Sequence, residues 1–266
     1  MKKLCILLLV SVSILFGFNL ENFAKSVVKS TTTDTASNTE SSKSALSNDT
    51  ISSALKEALQ KGVQYATTSL GKKDGYLNNN LVKIPLPETL QKVESLVRKA
   101  GGDKIADDLI QSMNTAASKA APKTAEIFID AIKKMSLADA KTILNGGNEA
   151  ATEYFKSHTD ASLKTLIAPI VETSMNDNNV AKYYDTFNNY YQQYGKKYVQ
   201  NSTIGSFAKK FGADAYLPDA SEENLNDYVT QKAIDGLFVM IAQQEKKIRE
   251  NPVEQTTSLL KKVFGK

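Results

Sequence analysis

From about Ile51 to Phe264 the apolar residues recur three and four positions apart, and no segment sustains the period-two alternation of a half-buried strand. A chain with that periodicity buries stripes of helix surface against one another. The spacing therefore predicts an all-α fold, a single compact array of about ten short-to-medium helices. Glycine and proline mark the breaks. Leu55, Ala58, Leu59, Gly62, Val63, Ala66 and Leu70 line one helix that stops near Gly71. Asp74 to Pro87 reads as a loop, because residues before proline avoid the α region. Further helices end at Gly101-Gly102 and Gly146-Gly147, with Asp103 expected to cap the helix after the first pair. Ser136-Leu137-Ala138-Asp139 has the form of a capping box, with Asp in the place of Glu or Gln. Ala150–Phe155 and Leu163–Met175 read as two separate helices. Asn251-Pro252-Val253-Glu254 reads as the N-terminus of a last helix ending at Phe264. The helix near 225–248 is the expected centre, since around Ala233–Ala242 its apolar side chains point almost all the way round the axis.

The first residues differ from the rest. Lys2 and Lys3 precede an apolar run from Leu4 to Phe18, shorter than the roughly 20 residues that a spanning helix needs. This pattern is that of a secretory signal peptide over residues 1–17, with cleavage expected after Gly17; an uncleaved N-terminal anchor is the alternative. Ser30 to Thr50 holds twelve Ser or Thr and little that is apolar. Such a segment cannot offset its ordering entropy by burial, so residues 18–48 read as a flexible tether to a helical domain at 49–266. The expected location is the periplasm, with no transmembrane segment in the mature chain.

Several function classes lose support. The one cysteine, Cys5, lies inside the leader, which leaves the mature chain without a thiol nucleophile or thiolate ligand. The one histidine, His158, stands where a helix is expected to end, a favourable place for imidazolium. The reading is of no metal, no cofactor and no catalytic set. A net charge of +4 without a clustered basic face argues against a nucleic-acid partner.

The candidate binding residues are Asp235, Asp74, Tyr76, Asn78 and Arg249. Asp235 sits in an apolar helix segment where an unpaired carboxylate would be costly. It is expected to be buried and to accept hydrogen bonds from another segment, first of all the 74–87 loop. Asp74, Tyr76 and Asn78 belong to that loop, a possible binding lip that ordinary turn chemistry would also explain. Arg249 is one of two arginines in a lysine-biased chain, and Glu245 four residues earlier is its expected helix partner. Tyr183, Tyr184, Phe187, Tyr190, Tyr191, Tyr194 and Tyr198 form a stripe read as core or core edge.

In combination, Asp74-Gly75-Tyr76 with Asn78, Ile84-Pro85-Leu86-Pro87, Ile143-Leu144-Asn145-Gly146, Asp235-Gly236-Leu237-Phe238 and Ile248-Arg249-Glu250-Asn251-Pro252 resemble the bacterial exported family catalogued as domain-of-unknown-function family 4197. The resemblance implies a helical envelope protein and carries no activity. The reading of function is a non-enzymatic periplasmic protein that binds an unknown protein partner or a small apolar ligand. The alternatives are a carboxylate-dependent enzyme using Asp235 and Asp74, or a purely structural envelope component.

Overall fold

The computed structural model describes residues 47–195 and 222–264, and every regular element among them is helical. The described residues fall within one compact unit, Ala45–Lys266. The leader, nearly all of the tether, Tyr198 and most of the stretch between Gly195 and Glu223 lie outside the described residues. Asn48, which the sequence reading leaves in the tether, already opens the first helix.

In chain order the α-helices are α1 (Asn48–Leu70), α2 (Glu88–Lys99), α3 (Asp103–Ala120), α4 (Ala125–Lys134), α5 (Leu137–Asn145), α6 (Ala150–Asp177), α7 (Val180–Tyr190), α8 (Glu222–Glu250) and α9 (Ser258–Phe264). Helix α8 lies at the centre, against α6, α1 and α3. Leu225, Val229, Ala233, Ile234, Leu237, Phe238, Met240 and Ile241 are all buried on it. Phe128 of α4 meets Phe155 of α6 and Phe238 of α8 edge-on, with centroids 5.3 and 6.0 Å apart. Such a trio adds directional contact to ordinary burial.

Two helical expectations are corrected. Residues 150–177 form one helix of 28 residues, and His158 stands in its middle, exposed. The cause is a stripe at every fourth position, Ala151, Phe155, Thr159, Leu163, Ile167, Val171 and Met175, which is buried throughout. Thr159 interrupts its apolar character, but the hydroxyl returns to Phe155 O at 2.7 Å and can be buried. At the C-terminus, Pro252–Glu254 is only a 3₁₀ turn and α9 begins later, at Ser258. Its cap is Thr257, whose Oγ1 accepts from Leu260 N at 3.2 Å. Asp103 makes no side-chain cap on α3. The Ser136–Asp139 box forms in both directions.

The Asp74–Pro87 loop is built into the core. Tyr76, Val82, Ile84 and Leu86 are buried. Asn114 of α3 holds it, accepting from Ile84 N and donating to Ile84 O, each at 2.8 Å. An amide can satisfy both backbone groups of one residue, which a carboxylate cannot.

Candidate functional site

Helix α5 runs from its capping box to Gly146-Gly147, and α6 starts at Ala150. That turn leaves α5's last carbonyls and α6's first N–H groups without intrahelical partners. Helix α8 supplies both. Glu245 accepts from Ala151 N at 3.0 Å, from Thr152 N at 3.1 Å and from Thr152 Oγ1 at 3.1 Å. Arg249 donates to Ile143 O at 2.7 Å and to Leu144 O at 3.4 Å. The two side chains also pair, Nη2 to Oε1 at 2.9 Å, with 12% and 7% of their surfaces exposed. Asn148 in the turn donates to Glu250 Oε1 at 2.9 Å.

Two hollows flank this junction. On the inner side, Leu55, Leu59, Ile241, Ile248 and Phe264 line a cavity of about 10 Å³ beside Glu245 and Arg249, room for one water at most. On the outer side, an open groove runs along Asp139, Thr142, Asn148, Glu149, Glu153 and Tyr154. The groove lining carries three carboxylates and no lysine or arginine.

The groove edge is ordered by polar contacts. Asp139 accepts from Ser136 Oγ and Ser136 N, and these bonds, aided by His158, hold its carboxyl below the usual carboxylate range. Partial burial and the Asp139 charge push the Tyr154 phenol up. Tyr154 stacks on His158 with ring centroids 4.2 Å apart and donates to Ala131 O at 3.2 Å. Ser157 Oγ donates to Tyr154 O at 2.8 Å, and His158 Nδ1 lies 2.8 Å from the same carbonyl. Ser157 Oγ also lies 2.9 Å from His158 Nδ1, so the two side chains and the Tyr154 carbonyl form one local cluster in which the imidazole tautomer sets the direction of the bond.

Of the candidate residues, the structure brings Arg249 into this junction with its expected partner, Glu245. The others lie elsewhere. Asp235 is exposed and accepts from Gln231 Nε2 at 3.1 Å on its own helix; its expected burial and cross-segment bonds are overturned. The α8 surface keeps an open stripe through Gln231, Asp235, Val239 and Lys246. Val239 breaks the polar run there, which disguises the stripe in the sequence. The 74–87 loop does reach this part of α8, through Tyr76. Its hydroxyl donates to Ala233 O at 2.6 Å, and its ring lies where a Cβ on Gly236 would come within 2.6 Å. Complete burial, reinforced by the nearby Asp235 charge, raises the Tyr76 phenol far above its ordinary range. Tyr76 is thus a buried anchor and no binding lip. Asp74 takes positive φ (57°) and its carbonyl accepts from Asn78 N at 2.9 Å, so both residues are turn-formers. Asp74 and Asp235 share no hydrogen bond among the described residues.

Sequence reasoning missed Glu245's second task, the capping of α6 from a distance, along with the groove and Asn114. Only the position of Glu245 on a largely apolar helix hinted at a buried acceptor. The described part of the tyrosine stripe is half-buried against the core at Tyr183, Tyr184, Tyr190 and Tyr191, while Phe187 is buried and Tyr194 is 44% exposed.

The family described as a protein of unknown function, DUF4197, matches residues 45–265. The chain belongs to this family. The match spans the described helices, including both halves of the Glu245–Arg249 junction. No curated protein and no solved structure matches the chain. Among its described residues, no helix of this DUF4197 member is long and apolar enough to cross a membrane.

Proposed function

We propose that this DUF4197 member is a non-enzymatic, partner-binding protein of the cell envelope, and that the groove beside the α5–α6 turn is where its partner sits. The observation that carries the reading is the division of labour at the turn. Glu245 and Arg249 are occupied by each other and by backbone groups, which leaves neither as a free acid, base or anion clamp. The groove beside them is open and carries three carboxylates with no lysine or arginine, and suits a partner that presents basic groups. A cavity of about 10 Å³ gives no support to a small apolar ligand. The placement in the envelope rests on the first 21 residues of the sequence, with their basic start and short apolar run.

The test is photo-crosslinking in cells, with a benzophenone amino acid at Thr142 or Glu153 in the groove and at the exposed Lys119 of α3 as control. Discrete adducts from the groove positions and none from Lys119 are the expected result. Equal adducts at all three positions, or none in the groove, overturn the proposal.

A further inference from the structure

Helix α9 is attached to the molecule differently from the other helices. It is seven residues long, and its buried anchor, Leu260, belongs to a small cluster with Ala58 and Ile248 that is separate from the main core. Phe264 packs half-buried against both clusters, and polar bonds supply further ties. Lys61 Nζ donates to Thr256 Oγ1, Thr257 Oγ1 donates to Glu57 Oε2 at 3.2 Å, and Gln255 Nε2 donates to Ile248 O and Phe264 O, each at 3.1 Å. Elements with few apolar contacts open at lower free energy than the core and do so as units. Helix α9 is short and, among its described side chains, has one fully buried anchor, set outside the main core.

The tip of α9 touches the junction behind the groove. The Phe264 ring lies 5.8 Å from the Arg249 guanidinium carbon and forms part of the lining of the cavity beside Glu245 and Arg249. A seated Phe264 keeps water from one face of the ion pair and adds a cation–π contact. From Arg249 the chain of contacts runs to Ile143 O and Leu144 O at the end of α5, and through Glu245 to the N–H groups of Ala151 and Thr152 at the start of α6. Ile143 and Ala150 line the groove. One guanidinium thus joins the strap to both walls of the turn.

We infer that α9 is a releasable strap that sets the shape of the α5–α6 groove through Arg249. Seated, it holds the Glu245–Arg249 pair dry and the turn closed. Released, it hydrates the pair, weakens Glu245's hold on α6 and loosens the groove wall. This rests on the groove being the binding surface, and it assigns to the C-terminal helix the control of that surface.

The experiment is native-state hydrogen exchange on the full chain, comparing wild type with Leu260→Ala, Phe264→Ala and Phe264→Tyr. The two alanine variants should speed exchange at Ala151 and Thr152 at least tenfold, together with the α9 amides. Met113 and Ala117 in α3, which report global opening, should keep their wild-type rates. Phe264→Tyr retains the ring and should behave as wild type. Faster exchange in α9 with Ala151 and Thr152 unchanged would show a strap uncoupled from the groove and overturn the inference. Equal acceleration everywhere, or no acceleration in α9, would also overturn it. No partner is needed for this measurement, so its failure is distinguishable from a failure of the crosslinking experiment.

Discussion

Two glycine pairs turn one helix into the next, and an arginine attends each. At Gly101-Gly102, between α2 and α3, Arg98 pairs with Glu94 at 2.9 Å, Asp107 at 2.7 Å and Asp103 at 3.4 Å. At Gly146-Gly147, between α5 and α6, Arg249 pairs with Glu245 and two carbonyls. Both arginines follow a glutamate by four residues. Yet Arg98 faces carboxylates at the surface; its burial works against the charge, and its hydrogen bonds to Asp107 and Glu94 outweigh that and raise its pKa. The first turn is shaped by its own backbone and by the neutral Tyr190 of α7, whose hydroxyl donates to Ala100 O at 2.7 Å. Gly101 has φ +90°, and a Cβ on Gly102 would lie 2.6 Å from Val97 and 2.8 Å from the Tyr190 ring. The second turn is held by side chains from α8, nearly a hundred residues away. The lesson is that an i,i+4 pair has no fixed worth: its surroundings decide whether it decorates a turn or holds one in place.

The comparison breaks most readily at the buried pair. Glu245→Ala should destabilise the protein by about 3–5 kcal/mol, because it strands a buried guanidinium and the α6 amides together. Arg98→Ala should cost no more than about 1 kcal/mol. Urea titration of both variants measures the contrast, and equal losses would refute it. Next in size is the α8 anchor. Gly236→Ala should cost about 1–3 kcal/mol by overpacking against Tyr76, and Tyr76→Phe about 1 kcal/mol by removing a buried second hydrogen bond from a carbonyl that keeps its helical partner; thermal melts would show both. The glycine pairs sharpen the comparison further. Gly102→Ala should cost about 1–3 kcal/mol, whereas Gly147→Ala, with nothing within 4 Å of its Cβ, should stay within about 0.5 kcal/mol.

The smallest effect is a pH dependence. Asp139 is held below its usual carboxylate range by Ser136. Its contribution to α5 is fully present above the unfolded value, about 3.9, and is lost as pH falls through the lower folded value. The stability gap between wild type and Asp139→Asn should therefore be open at pH 6 and close in acid. A gap that persists at pH 2 would remove the carboxylate from the explanation.

Much of this arrangement was legible in the sequence. Helix α1, the turns at Gly101-Gly102 and Gly146-Gly147, the Ser136–Asp139 box and the Glu245–Arg249 spacing are local signals, and local signals survive folding. The failures came where one residue departed from its stripe. Thr159 broke an apolar series that in fact continues through α6, and Val239 hid the solvent-facing side on which Asp235 lies. The groove was not legible, although its lining all lies between Asp139 and Ser157, because the turn that shapes it is held by Glu245 and Arg249 from far along the chain. Asn114 was missed for the same reason: nothing beside it in the chain announces that it will hold Ile84.

The first and last described helices meet. Thr256 binds Lys61 across 195 residues of sequence, and Thr257 binds Glu57 across 200. Such contacts close only after nearly all of the described helices have been made. At ribosomal speeds of about 5–20 residues per second, α1 is exposed for roughly 10–40 s before α8 and α9 exist to cover it. For that interval its apolar stripe, from Leu55 to Leu70, has no native partner in the C-terminal third of the protein. The helices made earlier, α4 and α5 among them, are the first native partners that this stripe can find.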